Sequence, residues 1–227
     1  MKINLNTIKF YYLTCNNKIR KEHLLKEFNT YNLTEVNPFL NLSKKQSGAT
    51  GYSRMLDLGI RNQDNTKPFQ PFVLIEDDVK KYREFPNELE IPGECDILYI
   101  GLSYWGIKNK NKGEKGIVCY ENINQDIIKI YNMLSTHGMI ICSSAGALAL
   151  QKCLIEDCFK DRGYDISLAQ IQPYYNIYAL KKPLVYQYQA IGGKELSTKL
   201  EYNTEDKKIN PKWINRNNLS VIISTIK

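Results

Sequence analysis

Apolar runs alternate along this chain with amphipathic stretches, and the alternation predicts strands and helices in turn. Residues 8–13, Ile-Lys-Phe-Tyr-Tyr-Leu, are rich in aromatic and β-branched side chains and predict a strand. After the Thr14-Cys-Asn-Asn17 turn, Ile19, Leu24, Leu25 and Phe28 recur near helical spacing, which predicts a first helix ending around Tyr31. A short strand is expected over 34–36. Tyr52, Met55, Leu56 and Ile60 restore helical spacing, with Ser47 and Gly48 as the turn ahead of them. Pro68 and Pro71 close that unit. Phe72-Val-Leu-Ile75 and Asp96-Ile-Leu-Tyr-Ile-Gly101 are near-continuous apolar runs, as expected of strands buried on both faces. The order strand–helix–strand–helix–strand predicts an α/β fold with a mostly parallel central sheet and crossover helices.

The second half is less regular. Strands are expected over 116–120 and 138–142, while 127–133 reads as a strand or a helix. A helix opened by a Ser cap is predicted from Ser143 to about Phe159, followed by a helical stretch over 166–171 and short strands over 177–180 and 184–188. From Gly192 onward the chain is polar and rich in Lys and Asn until Leu219-Ser-Val-Ile-Ile223, a last strand or a docking tail. No repeat and no domain boundary is visible, so residues 1–227 are taken as one domain with a polar extension over 192–227.

Composition narrows the class. With 43% hydrophobic and 24% charged residues in 227, the chain has ordinary globular composition and length enough for a full core. No run approaches the ~18–20 apolar residues of a membrane helix, and the start lacks a signal-peptide pattern. Six cysteines are scattered without a CxxC pair, as expected of reduced thiols in a cytoplasmic protein. The 31 basic and 24 acidic residues give a net charge of +7, and with 16 tyrosines this raises nucleic-acid binding. The basic residues are dispersed, however, and no RNA-binding motif appears, so no nucleic-acid partner is expected.

The sharpest chemical feature is Glu76-Asp77-Asp78, directly after the apolar run 72–75. Three adjacent carboxylates repel one another, and a sequence shaped by folding alone is expected to gain nothing from them. Ligands of open α/β sheets bind beyond the carboxyl ends of the strands. Hard oxygen ligands there suit Mg²⁺ or Mn²⁺, which in turn bridges a diphosphate.

Phe72-Val-Leu-Ile-Glu-Asp-Asp-Val79 resembles the strand-plus-EDD signature of GT-A glycosyltransferases, particularly glycosyltransferase family 25, the lipooligosaccharide and collagen galactosyltransferase relatives. Tyr11-Tyr-Leu-Thr-Cys-Asn-Asn-Lys-Ile-Arg20 falls where that family has a strand, a short turn and an Arg-bearing helix start. Gly48-Ala-Thr-Gly-Tyr-Ser53-Arg54 falls at its Gly-rich turn and Ser-His pair, with Arg54 in place of the His. Asp96-Ile-Leu-Tyr-Ile-Gly101 and the stretch from Thr136-His137 to Gly146-Ala147 are similar to two further segments, and Asp165 falls where an Asp follows the helix. In order, these cover residues 8–188.

The resemblance implies a GT-A-like (Rossmann-like) domain, a nucleotide-diphosphate sugar donor, usually a UDP-sugar, a divalent cation, and a glycan or glycoprotein acceptor. Asp78 is the first candidate for direct metal contact and Glu76 the second, with Glu76 and Asp77 also suited to the ribose, the sugar or metal-bound water. Thr14, Asn16 and Arg20 are candidates for cradling the nucleoside. Ser53 and Arg54 are candidates for the pyrophosphate or sugar, an Arg offering a fixed fork to phosphate oxygens. An inverting transfer needs one carboxylate to take the acceptor proton, and Asp165, isolated among Tyr164, Ile166 and Leu168, is the candidate base. Asp157 and Asp161 are its neighbours. His137 matches a family His and is a candidate near the sugar or metal.

One further alternative comes from Ile140-Ile-Cys-Ser-Ser144-Ala-Gly-Ala147, which resembles the nucleophile turn of S51-type serine peptidases and would make Ser144 a nucleophile. It leaves the acidic trio unexplained.

Overall fold

The computed structural model describes residues 1–39, 41–109, 114–160 and 163–192. In chain order its elements are β1 (Lys2–Asn4), β2 (Lys9–Leu13), α1 (Lys18–Glu27), β3 (Asn32–Val36), α2 (Lys44–Arg61), β4 (Phe72–Glu76), β5 (Val79–Lys81), β6 (Glu88–Glu90), β7 (Ile97–Tyr99), β8 (Trp105–Asn109), β9 (Glu114–Ile117), β10 (Tyr120–Asn122), β11 (Ile127–Ile130), β12 (Gly138–Ile141), α3 (Ser144–Lys160), α4 (Tyr164–Ile171), β13 (Ile177–Leu180) and β14 (Val185–Gln187). Leu219–Ile223 and Asp161 lie outside the described residues, as does most of the expected polar extension.

Eight strands form the central sheet in the order β10-β11-β13-β7-β12-β4-β2-β3. Alternation within each strand divides its side chains between two faces. Tyr11, Leu13, Phe72, Leu74, Met139 and Ile141 pack with α2, α3 and α4 on one face. Phe10, Tyr12, Val73, Ile75 and Ile140 pack on the other against Leu24 of α1 and Phe28, its C-cap. Phe72 through Ile75 are all buried; each such side chain contributes roughly 1.5–3 kcal/mol by leaving water.

The sheet is not mostly parallel, which corrects the expectation from sequence. β3–β2, β2–β4 and β7–β13 run parallel, while β4–β12, β12–β7, β13–β11 and β11–β10 run antiparallel. The excursion over β8–β11 brings the chain back from the opposite end, and β12 enters the centre reversed. A continuous apolar run records burial on both faces and carries no information on direction.

Two other elements differ from the sequence reading. The stretch after Ile127 is a strand, fixed by its register with β13. Helix α2 begins at Lys44, well before the expected turn, capped by a reciprocal Ser43–Gln46 box. Gly48 lies inside this helix because a Cβ there would stand 2.3 Å from the Tyr164 ring. Among the described residues no helix is long and apolar enough to cross a membrane, and no disulfide joins the cysteines.

Candidate functional site: an acidic pocket at the carboxyl end of β4

Parallel register brings the carboxyl ends of β2 and β4 together, with Leu13 opposite Glu76. The next residues of both strands therefore share one edge of the sheet. Thr14 is buried and its Oγ1 accepts from Asn16 N–H at 3.2 Å. Asn16 takes the left-handed conformation, φ 60°, which Asn tolerates, and this turns the chain into α1. Cys15 N–H then donates to Asp77 Oδ2 at 2.8 Å, and Asn17 caps α1 by accepting from the amides of Ile19 and Arg20.

The cap aims Arg20 back at the acidic turn. Its Nη1 lies 3.2 Å from Asp77 Oδ1 and 3.3 Å from Asp78 Oδ2. Its other nitrogens donate to the carbonyls of Ile191 at 3.0 Å and Gly192 at 2.7 Å. Asp77 and Asp78 are only 3% and 6% exposed, so this pair is screened little by water. Burial pushes the Asp78 carboxyl up despite the opposing pull of Arg20.

Glu76 sits in a shell of neutral donors. Its Oε1 accepts from Thr136 Oγ1 at 2.6 Å and Tyr164 OH at 3.1 Å, and its Oε2 from Gln187 Nε2 at 3.1 Å. The Tyr52 hydroxyl, which donates to the Thr136 carbonyl, lies 3.4 Å from Oε1. Burial first, and the neighbouring Asp78 charge second, push the Glu76 carboxyl up to about 7. The Tyr164 phenol is held far above its ordinary value by burial and by Glu76, so it remains a donor. Gln187 also reaches Asp78 Oδ1, at a long 3.5 Å.

Electrostatically this is an acidic spot in a basic chain. Among the described residues Arg20 is the one cation paired with the trio, so one guanidinium faces three carboxyl groups. Full ionisation of all three is unfavourable in a site of low dielectric, and the upward shifts of Glu76 and Asp78 are the response. Among the described residues, no three His, Cys, Asp or Glu side chains are grouped as a ready metal cage.

The other sequence candidates are placed elsewhere or differently. Ser53 is half-buried on α2. Arg54 is exposed, donates to the Asn37 carbonyl at 2.6 Å and lies 5.0 Å over the Phe39 ring; among the described residues no hydrogen bond or ion pair joins it to the trio. Asp165 is half-buried in the first turn of α4, where its Oδ1 accepts from Ile166 N–H at 3.0 Å. The N-cap of that helix is Gly163, so Asp165 faces the positive end of the helix from inside the first turn. Its neighbour Tyr164 joins it indirectly to Glu76.

His137 is fully buried. Its carbonyl accepts from Glu76 N–H at 3.3 Å, but its ring turns away to Ser135, 3.2 Å from Nδ1. Nε2 is buried, against Gly101, with no hydrogen-bond partner among the described residues. Burial lowers its pKa to about 4, so it is neutral at ordinary pH.

Ser144 is exposed at the start of α3. The cap is Ser143, whose Oγ donates to Asp96 at 2.5 Å and accepts from Gly146 N–H at 3.0 Å. No hydrogen bond joins Ser144 to either histidine among the described residues; His23 stacks on Tyr188.

Tyr52, Tyr164 and Gln187 were missed as partners of Glu76. The signal for Gln187 was its alternation with buried Val185, which turns a polar side chain inward from a strand. Tyr52 and Tyr164 read simply as core aromatics.

No protein-family model matches the chain, and no curated protein is significantly similar to it. Solved structures with a distant likeness include A197 from STIV, at 12% identity and a TM-score of 0.42 over 80% of this chain and 86% of that one. Apo UDP-glucose pyrophosphorylase is another, at 12% identity and a TM-score of 0.40 over 79% of this chain and 76% of that one.

Proposed function

We propose that this chain is a nucleotide-sugar transferase that moves a sugar, with inversion, from a nucleoside-diphosphate donor, first of all a UDP-sugar, to a hydroxyl of a glycan or glycoprotein. The observation that carries the reading is the acidic pocket itself. Two parallel strands deliver three carboxyl groups, one guanidinium and a short polar turn to one point at their carboxyl ends. The likeness of that strand and turn to the EDD signature of GT-A enzymes supports the same class.

Asp78 is the residue suited to Mn²⁺ or Mg²⁺. The side-chain contact at its Oδ1 is a long one from Gln187, and Mg²⁺ is commonly held by one or two carboxylates with substrate phosphates and water completing the shell. Glu76 fits that role poorly, because both its oxygens accept from neutral side chains. Its part is to hold the pocket together. When bound, the cation supplies charge to stabilise the departing diphosphate. Asn16, exposed in the turn that buried Thr14 shapes, is the residue offered to the nucleoside. Ser53 and Arg54 remain candidates for the sugar or pyrophosphate, Arg54 only after leaving Asn37.

In the transfer, Asp165 takes the proton of the acceptor hydroxyl as its oxygen bonds to the anomeric carbon. The bond from that carbon to the diphosphate oxygen breaks, and its electron pair leaves with the diphosphate. The test is thermal unfolding with UDP-sugars, with and without Mn²⁺. A ligand at about 100 times its Kd stabilises the fold by about 2.7 kcal/mol. The wild type is expected to gain this shift only with the cation, and Asp78→Ala to lose it. A shift that ignores the cation and survives Asp78→Ala would refute the assignment of Asp78; no shift with any nucleotide sugar would refute the class.

A further inference from the structure

Helix α4 starts without an N-cap side chain. Its N-cap, Gly163, makes no side-chain hydrogen bond to the first turn. What fixes this turn is Tyr164. Its hydroxyl donates to Glu76 Oε1 at 3.1 Å, and its ring packs on Tyr52 with centroids 4.9 Å apart. The other contact is with Gly48 of α2, where a Cβ would stand 2.3 Å from the Tyr164 ring. The ring is thus held between two residues of one helix, and its hydroxyl is tied to the carboxyl group that opens the acidic turn. Asp165 is the next residue. Its carboxylate lies along the turn Tyr164 holds, accepting from Ile166 N–H, in space left by the missing side chain of Gly163.

We infer that Tyr164 is a positioning residue for Asp165: through its bond to Glu76 it sets where the Asp165 carboxylate stands relative to the acidic pocket. The inference rests on the proposed transfer reaction and adds to it a connection between the base and the donor pocket. The same carboxyl group, Glu76, accepts from Thr136 ahead of β12 and from Gln187 of β14, so one residue holds the base-bearing helix and two walls of the pocket. Near-attack geometry tolerates little error, and a displacement of about 1 Å can cost roughly 10²-fold in rate.

The experiment compares wild type, Tyr164→Phe, Asp165→Asn and the double variant in Mn²⁺-dependent hydrolysis of UDP-hexoses. Here water replaces the acceptor and gives its proton to Asp165. UDP affinity is measured separately by calorimetry, and thermal unfolding checks the fold. Tyr164→Phe is expected to lose about 10²-fold in turnover with UDP affinity nearly unchanged. The double variant is expected to be no slower than Asp165→Asn, because the two residues act as a unit. Gly48→Ala, which displaces the ring without touching the hydroxyl, should give the Tyr164→Phe phenotype.

A second readout needs no turnover: the ¹³C carboxyl resonance of Asp165 and its titration should move in Tyr164→Phe. Losses that multiply in the double variant, or an Asp165 resonance that stays in place, would overturn the positioning role and leave the transferase reading standing. A wild type that neither binds UDP nor hydrolyses any UDP-hexose would overturn both.

Discussion

Glu76 and His137 stand at adjoining ends of neighbouring strands, joined by the amide of one and the carbonyl of the other. Burial penalises charge on both, and so moves them in opposite directions, the acid up to about 7 and the base down to about 4. Their surroundings differ. Glu76 gathers donors from the turn before β12, from α4 and from β14, while His137 has Ser135 on one nitrogen and, among the described residues, no partner on the other. One buried polar group gathers three parts of the chain; the other fills space beside Gly101. Depth alone therefore does not distinguish a site residue from a packing residue. The number of independent elements that converge on it does.

The contrast breaks most visibly if Glu76 is removed. Glu76→Ala leaves Thr136, Tyr164 and Gln187 without their shared acceptor, and an unsatisfied buried donor costs ~1–3 kcal/mol. A loss of roughly 3 kcal/mol or more is expected in urea unfolding, and markedly less for Glu76→Gln, which keeps one acceptor oxygen. A Glu76→Ala protein as stable as wild type would show that the convergence has no energetic weight.

Next in size is the pH dependence, where the two residues should give opposite slopes. His137 is neutral when folded, so the unfolded chain binds the extra proton between about pH 6.5 and 4. The stability it contributes is present above 6.5 and lost as pH falls toward about 4, on the order of 3 kcal/mol in all. Glu76 holds its proton more tightly when folded. Its contribution is present below its unfolded value near 4.5 and lost as pH rises through about 7. Between pH 4.5 and 7.5, His137→Gln should therefore lose ground against wild type, and Glu76→Gln should gain. Parallel slopes for the two variants would end the comparison.

Smaller effects sharpen it. A methyl group at Gly101 would stand 2.1 Å from His137 Nε2, and overpacking of this kind costs ~1–3 kcal/mol. Gly101→Ala should show that loss in denaturant unfolding, while a stable variant would mean the imidazole has room to move. The same distinction between a partnered and an unpartnered polar side chain recurs at the start of α3. Ser143→Ala loses a cap and should cost about 1 kcal/mol. The exposed Ser144→Ala should change stability by no more than about 0.5 kcal/mol and leave turnover intact; labelling of Ser144 by a fluorophosphonate would instead favour a hydrolase.

Much of the frame was legible before any coordinates. The buried runs at Phe72 and Ile97, and the acidic turn after the first, follow from hydrophobic pattern and charge, which are local. The direction of β12 was not legible, since Gly138–Ile141 reads identically either way along the sheet. Nor was the pairing of Arg20 with Asp77 and Asp78, although all three were singled out, because it depends on parallel register between strands far apart in sequence. Tyr52 and Tyr164 escaped notice for a simpler reason: an aromatic at helical spacing signals core, and only coordinates show where its hydroxyl goes.

The reversed entry of β12 has a consequence for synthesis. A ribosome delivers β4 long before β12, and until then Phe72–Glu76 has β2 on one side and an open apolar edge on the other. Pairing between strands so distant in sequence slows folding. An unpaired apolar edge on an emerging chain is a template for joining another chain. The amino-terminal half therefore depends on the second half to cover β4, and a chain truncated before Gly138 is expected to aggregate on release.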